Sequence, residues 1–158
     1  CVAASPLERC RQTAELLYPG QAPCVFDQFR EMDFGAFEGH NYEELKADAR
    51  YQAWIDSNGT LPFPQGESRE QFQRRCVEGF CKLLKEMWTR ERSLSSLALV
   101  VHGGTIMALL DAFAEGSYYD YQCANAKGYK GRLSVEFDVA GNVLRDTIKI
   151  ADVRKLEE

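Results

Sequence analysis

Histidine, proline and methionine are scarce in this chain: two, five and three of 158 residues respectively. Two histidines and six scattered cysteines (Cys1, Cys10, Cys24, Cys76, Cys81, Cys123), with no C-x-x-C pair, give little support to a zinc site. No apolar run approaches the ~20 residues of a membrane-spanning helix, and no stretch reads as a signal peptide. Positive charge is not in excess. Nineteen Lys and Arg stand against 24 Asp and Glu, for a net charge of −5. No global basic field is available to hold nucleic acid, so any anion site must be a local pocket. Internal repeats and low-complexity tracts are absent. The cysteines read as free, mostly buried thiols of a reducing cytosol, against the alternative of a disulfide-bonded secreted domain.

Apolar residues make up 45% of the chain and charged residues 27%, the balance of an ordinary globular protein. The length suits one domain, residues 1–158, with a sizeable core. Its first residues, Cys1 to Ala4, read as the end of a strand already in progress, without an initiator Met. The expectation is that part of the gene product precedes Cys1.

The most informative stretch runs from Leu97 to Thr105. Leu97-Ala98-Leu99-Val100-Val101 is an unbroken apolar run, the pattern of a strand buried on both faces of a parallel sheet. It stops at His102-Gly103-Gly104-Thr105, and a helical pattern follows (Ile106, Leu109, Leu110, Phe113). His102 is therefore expected where a central strand ends and a helix begins. That carboxyl edge is where open α/β sheets bind ligands. Gly103 and Gly104 let backbone N–H groups approach an anion closely, and the helix N-terminus adds partial positive charge. Taken alone, His102 reads equally as a hydrogen-bonded histidine at a strand end.

Other helix starts are marked by capping residues. Ser5-Pro6-Leu7-Glu8 predicts a capped helix carrying Leu7, Cys10, Ala14 and Leu17 on its apolar stripe. Asn41-Tyr42-Glu43-Glu44 predicts a second helix, running to about Trp54, and Ser68 with Gln71 a third. The third bears Phe72, Cys76, Phe80, Leu84 and Trp88 at four-residue steps, a core-facing stripe. Between them, Arg30 to Gly39 mixes acids, aromatics and two glycines and reads as a structured loop. Pro23 to Phe29 is a weak strand. Tyr118, Tyr119, Tyr121 and Tyr129 sit in a loop that reads equally as packing or as a pocket wall. Leu133 to Phe137 and Val143 to Ile150, joined by Ala140-Gly141-Asn142, predict a hairpin closing the sheet.

Four segments together resemble one family. They are Ser5-Pro6-Leu7-Glu8-Arg9 with Gln12-Thr13-Ala14, Arg30-Glu31-x-x-Phe34-Gly35-x-x-Glu38-Gly39, Gly66-Glu67-Ser68, and Val101-His102-Gly103-Gly104. In this order they look like the histidine phosphatase superfamily, also called phosphoglycerate mutase-like. The resemblance implies an α/β sandwich of three layers, a mostly parallel sheet flanked by helices. It implies Arg9 and Gly103 as phosphate-binding, Glu31 as proton donor and acceptor, and His102 as the second histidine of a phosphate pocket. The family's Arg-His-Gly triplet, whose histidine becomes phosphorylated, has no match; His40 follows Gly39 in another motif. The resemblance thus implies a further strand–helix unit, roughly 30 residues, ahead of Cys1.

The chemistry of those residue types agrees. A phosphoryl group in transfer spreads charge over three oxygens, an arginine offers a planar fork to two of them, and a carboxylic acid can protonate the departing alkoxide. The family's mutases carry a second arginine after the acid, where this chain has Met32. The expected function is a cytoplasmic phosphomonoesterase working through a phosphohistidine on a small phosphorylated metabolite, with α-ribazole 5′-phosphate suggested by a general likeness to α-ribazole phosphatases. A mutase-type phosphotransferase and a non-catalytic relic are the alternatives. No metal or other cofactor is expected, nor a nucleic-acid or membrane partner; the open question of assembly is a homodimer.

Overall fold

The computed structural model describes residues 1–91 and 95–156. They fall into two compact units, Cys1–Glu31 with Arg75–Glu158 in the first and Met32–Arg74 in the second.

The first unit is built on a short parallel sheet. Strand β1 (Val2–Ala4) lies in the middle, between β2 (Cys24–Val25) and β3 (Ala98–Val100). Parallel neighbours need crossover connections. Helix α1 (Glu8–Leu17) supplies one of them. β1 and β3 run in register, Ala4 opposite Val100, and the Ser5 N–H continues the ladder by donating to Val100 O (3.2 Å). Two carboxyl ends therefore finish side by side, each followed by a helix: α1 after β1, and α5 (Gly103–Phe113) after β3.

The apolar run ending at His102 is a strand, but it is not a central one. β3 is the terminal strand of the sheet among the described residues, and Ala98 to Val100 are half-buried, whereas Val2 to Ala4 in β1 are buried. Nor does the hairpin close the sheet. β4 (Tyr129–Phe137) and β5 (Val143–Lys155) pair antiparallel as a separate two-stranded sheet, with β5 longer than the alternation predicts.

Helix α4 (Arg69–Glu91) opens as its capping box dictates, the Gln71 N–H donating to Ser68 Oγ and the Ser68 N–H to Gln71 Oε1. Its four-residue steps bury Phe72, Cys76, Phe80 and Leu84, with Val77, Leu83 and Met87 beside them. Trp88 is half-buried and stacks on Phe137, ring centroids 4.5 Å apart. Burying one such side chain contributes roughly 1.5–3 kcal/mol; Cys76 to Met87 give this helix's contribution to the core of the first unit, while Phe72 falls within the second.

The second unit is aromatic. Phe37, Leu45 and Phe63 are buried, with Met32, Phe34, Tyr51 and Trp54 packed against them. The Asn41–Glu44 capping box forms, but the helix it starts, α2 (Tyr42–Leu45), ends early. Asp48 then caps a separate helix, α3 (Ala49–Asp56), by accepting from the Arg50 N–H. An aspartate competes with the helix for backbone donors, which explains two short helices in place of the single one expected. All six cysteines are free; Cys10 and Cys76 are buried and the other four are half-buried, fewer buried thiols than the composition led one to expect.

Candidate active site

The chain brings Arg9, Glu31 and His102 together at the carboxyl edge of β1 and β3, although they are far apart in sequence. The Arg9 guanidinium donates through Nη2 to His102 Nδ1 at 3.0 Å and lies 3.8 Å from Glu31 Oε2. Glu31 Oε2 is 3.4 Å from the same ring nitrogen. The three differ sharply in access: side-chain exposure is 62% for Arg9, 27% for Glu31 and 3% for His102. A solvent-facing guanidinium thus covers a buried imidazole, with a carboxylate between the two extremes.

On its other side, His102 Nε2 lies 2.7 Å from Ser5 Oγ. Because Arg9 can only donate, Nδ1 must accept, and the hydrogen-bond network assigns the ring proton to Nε2, donated to Ser5. The neutral ring is what the surroundings favour. Burial first, then the positive charges of Arg9 and Arg75, hold His102 down to a pKa of about 4.

Cys10, one turn into α1, places its Sγ 3.7 and 3.8 Å from the two ring nitrogens. Burial pushes this thiol up, the nearby Arg9 only partly opposing it, so the sulfur acts as an apolar wall of the ring.

The helix behind His102 is left open. His102 is the N-cap of α5, yet its side chain makes no capping bond, being engaged by Ser5 and Arg9. The first N–H groups of α5 therefore keep their capacity for an incoming anion. A Cβ built on Gly103 would meet nothing within 4 Å, so space lies in front of it. In the same turn Thr105 is fully buried and its Oγ1 has no hydrogen-bond partner, the one such side-chain atom among the described residues.

Ser5 was expected as the N-cap of α1. It is instead fully buried, bonded to His102 and accepting from the Leu7 N–H, while Leu7 holds the N-cap position without a side-chain bond. Pro6 and Leu7 delay the helix by two residues, and Ser5 then stays in the strand ladder beside His102. Arg75 was not anticipated at all. It borders the apolar stripe of α4, next to Cys76 and one turn before Gly79, and a basic residue at that position was the available signal.

His40, the second histidine, lies in the Met32–Arg74 unit, half-exposed, with Nδ1 3.4 Å from Glu44 Oε2. The tyrosine loop packs on itself: Tyr118 and Tyr121 are buried, Tyr118 lies edge-on to Tyr119, and Tyr121 edge-on to Tyr129. That is the packing reading of the loop.

Known proteins offer matches along the whole of this site. A profile of the Histidine phosphatase superfamily (branch 1) matches residues 1–145. A Hydrogenobacter thermophilus protein provisionally named phosphoserine phosphatase 2 is 30% identical over 113 residues, 69% of this chain and 53% of its own length. The chain spans about half the length of the curated relatives it matches. Among solved structures, a phosphoglycerate mutase from Thermus thermophilus is 28% identical at a TM-score of 0.55, covering 90% of this chain and 70% of its own. A protein from Escherichia coli provisionally named an α-ribazole-5′-phosphate phosphatase shares the fold, at a TM-score of 0.63 and 19% identity, over 95% of this chain and 71% of its own.

Proposed function

This chain belongs to the histidine phosphatase superfamily (branch 1), and we propose that it carries the phosphate-binding and proton-transfer groups of a phosphomonoesterase. One observation carries the proposal: Arg9, Glu31 and His102 meet within 4 Å of one another at the open N-terminus of α5.

The chemistry follows from that cluster. The dianionic phosphoryl group of a monoester docks against the solvent-facing fork of Arg9 and the first N–H groups of α5, Gly103 included. Its negative charge offsets the burial that keeps His102 neutral, so the imidazole takes up a proton and donates through Nδ1 once phosphate is bound. A donor that charges only beside the transferring group stabilises charge where it develops. Glu31, in its acid form, delivers a proton to the alkoxide oxygen as the P–O bond breaks. The phosphoryl group passes to a nucleophilic histidine, a role for which neither His40 nor His102 has the Arg-His-Gly context. Glu31, now a carboxylate, takes a proton from the water that cleaves the P–N bond and releases inorganic phosphate. Arginine and histidine supply the positive charge, so no metal step is invoked.

The substrate class is a small phosphorylated metabolite. α-Ribazole 5′-phosphate is the first compound to test and phosphoserine the second, on the strength of the names carried by the relatives.

The 158-residue chain is assayed on a generic phosphate ester beside the full-length protein, with phosphohistidine read by mass. The expected result is phosphohistidine and turnover in the full-length protein and neither in the chain alone. Turnover by the chain alone at a comparable rate would make His40 the nucleophile to test. Activity that depends on a bisphosphorylated cofactor would favour the mutase reading.

A further inference from the structure

Glu31 has no regular element to hold it. It follows a single 3-10 turn, Asp27–Phe29, and the extended residue Arg30. A proton donor on such a segment needs an outside support, because an error of about 1 Å in a catalytic group costs on the order of a hundredfold in rate.

Helix α4 provides one. The Arg75 guanidinium donates through Nη1 to Gln28 O at 2.9 Å and to Arg30 O at 3.0 Å, and through Nη2 to Glu31 O at 3.4 Å. Three carbonyls within four residues thus converge on one planar, always-charged fork. One turn further along α4, Gly79 lets the same segment close in. A Cβ built there would lie 2.5 Å from Gln28 Cβ and 3.1 Å from the Phe29 ring. Helix and segment are therefore fitted to each other at two successive turns.

We propose that Arg75 is the positioning residue of Glu31: it clamps the backbone from Gln28 to Glu31 so that the carboxyl group faces Arg9 and His102. It acts through Glu31 rather than on the phosphate, its Nη1 and Nη2 donating to these main-chain oxygens. The proposal rests on Glu31 as the acid that protonates the leaving group. A lysine offers a point charge on a flexible stem and cannot span the three oxygens in one plane. The positive charge of Arg75 also reaches His102, where it adds to the effects of burial and Arg9 in favouring the neutral ring.

The test is a comparison of leaving groups in the full-length protein. An alkyl phosphate needs a proton on its departing oxygen, whereas p-nitrophenyl phosphate, whose leaving group is a stabilised phenolate, needs almost none. Glu31→Gln is expected to lower kcat on the alkyl ester by about a hundredfold, the scale of general acid catalysis, and to spare p-nitrophenyl phosphate. Arg75→Gln is expected to reproduce that selectivity at roughly tenfold, a fraction of the general-acid effect, with KM unchanged. Arg75→Lys should restore part of the loss, and Arg74→Gln, at an exposed neighbour paired with Glu70, should change nothing. Equal losses on both esters for Arg75→Gln would reduce Arg75 to a structural residue. A raised KM with unchanged kcat would make it a phosphate ligand. Either overturns the proposal. If Glu31→Gln itself fails to discriminate the two esters, the reading of Glu31 as the acid is what falls.

Discussion

His102 carries two opposed demands. It must be buried enough to aim at a phosphoryl group, and burial is what denies it a charge. Its pKa of about 4, against 6.5 for an ordinary histidine, makes this measurable in stability. Between those values the unfolded chain binds more protons than the folded one, so stability rises with pH across the window. The contribution is complete above pH 6.5 and is lost as pH falls to about 4, an effect on the order of 3 kcal/mol at most. The groups around the ring act in both directions, Arg9 and Arg75 against its charge and the Glu31 carboxylate for it. Denaturant unfolding from pH 4 to 7 should show this slope in the wild type and lose it in His102→Asn; equal slopes would mean the ring is not held neutral. On activity, His102→Ala in the full-length protein should cost about a hundredfold or more in kcat, as loss of one preorganised donor does. Its melting temperature should fall less than that of a core truncation such as Leu84→Ala. Full activity with a collapsed melting temperature would make His102 a structural residue.

Among the elements, the sequence spoke most clearly where backbone chemistry is local. The capping boxes at Asn41 and Ser68 form as written, because each needs only residues three apart. The helix predicted from Ser5 starts two residues late because the serine side chain has a distant partner, His102. The loop Arg30–Gly39 is held by contacts no pattern displays. Gly35 adopts φ +54°, and a Cβ there would lie 2.2 Å from Pro64 O and 2.5 Å from Gly66 N. Gly35→Ala should therefore destabilise the protein by more than the ~1–3 kcal/mol of a strained backbone alone. Ser68→Ala, which removes a cap and nothing else, should cost about 1 kcal/mol. Unfolding midpoints of the two variants check the order, and a harmless Gly35→Ala would contradict the close approach.

At the scale of the molecule, the reaction proposed draws its positive charge from Arg9, His102 and the α5 N-terminus. A chelator should therefore leave the phosphatase activity of the full-length protein intact; loss of activity that magnesium restores would refute the metal-free mechanism. The sheet itself is open. Among the described residues β3 ends the parallel sheet with half-buried Leu99 and Val100, and β4 is a hairpin edge whose residues Leu133 to Phe137 line a groove with Trp88. An apolar strand edge such as β3, which carries no charge or proline, favours association, whereas β4 is blunted by Lys130, Arg132 and Glu136. The apolar run at Leu97–Val101 reads as a buried central strand because composition reports how apolar a strand is, not which neighbours it has.

By itself, then, the sequence determined the α/β class and the long core helix from Ser68, and it marked His102 at a strand end; Arg9 and Glu31 were singled out by the family resemblance. The class, the helix and the strand end depend on signals of short range, a period, a cap or a glycine after an apolar run; Arg9 and Glu31 depend on motifs shared with a family. The tertiary structure decided which groups share a point in space. It put Ser5 on Nε2 of His102 and Cys10 against its ring, carried Arg75 from α4 to the backbone of Glu31, and, among the described residues, left β3 at the end of its sheet. Those partners lie 44 to 97 residues apart in the chain, and no local pattern encodes a hydrogen bond between residues that only folding brings together.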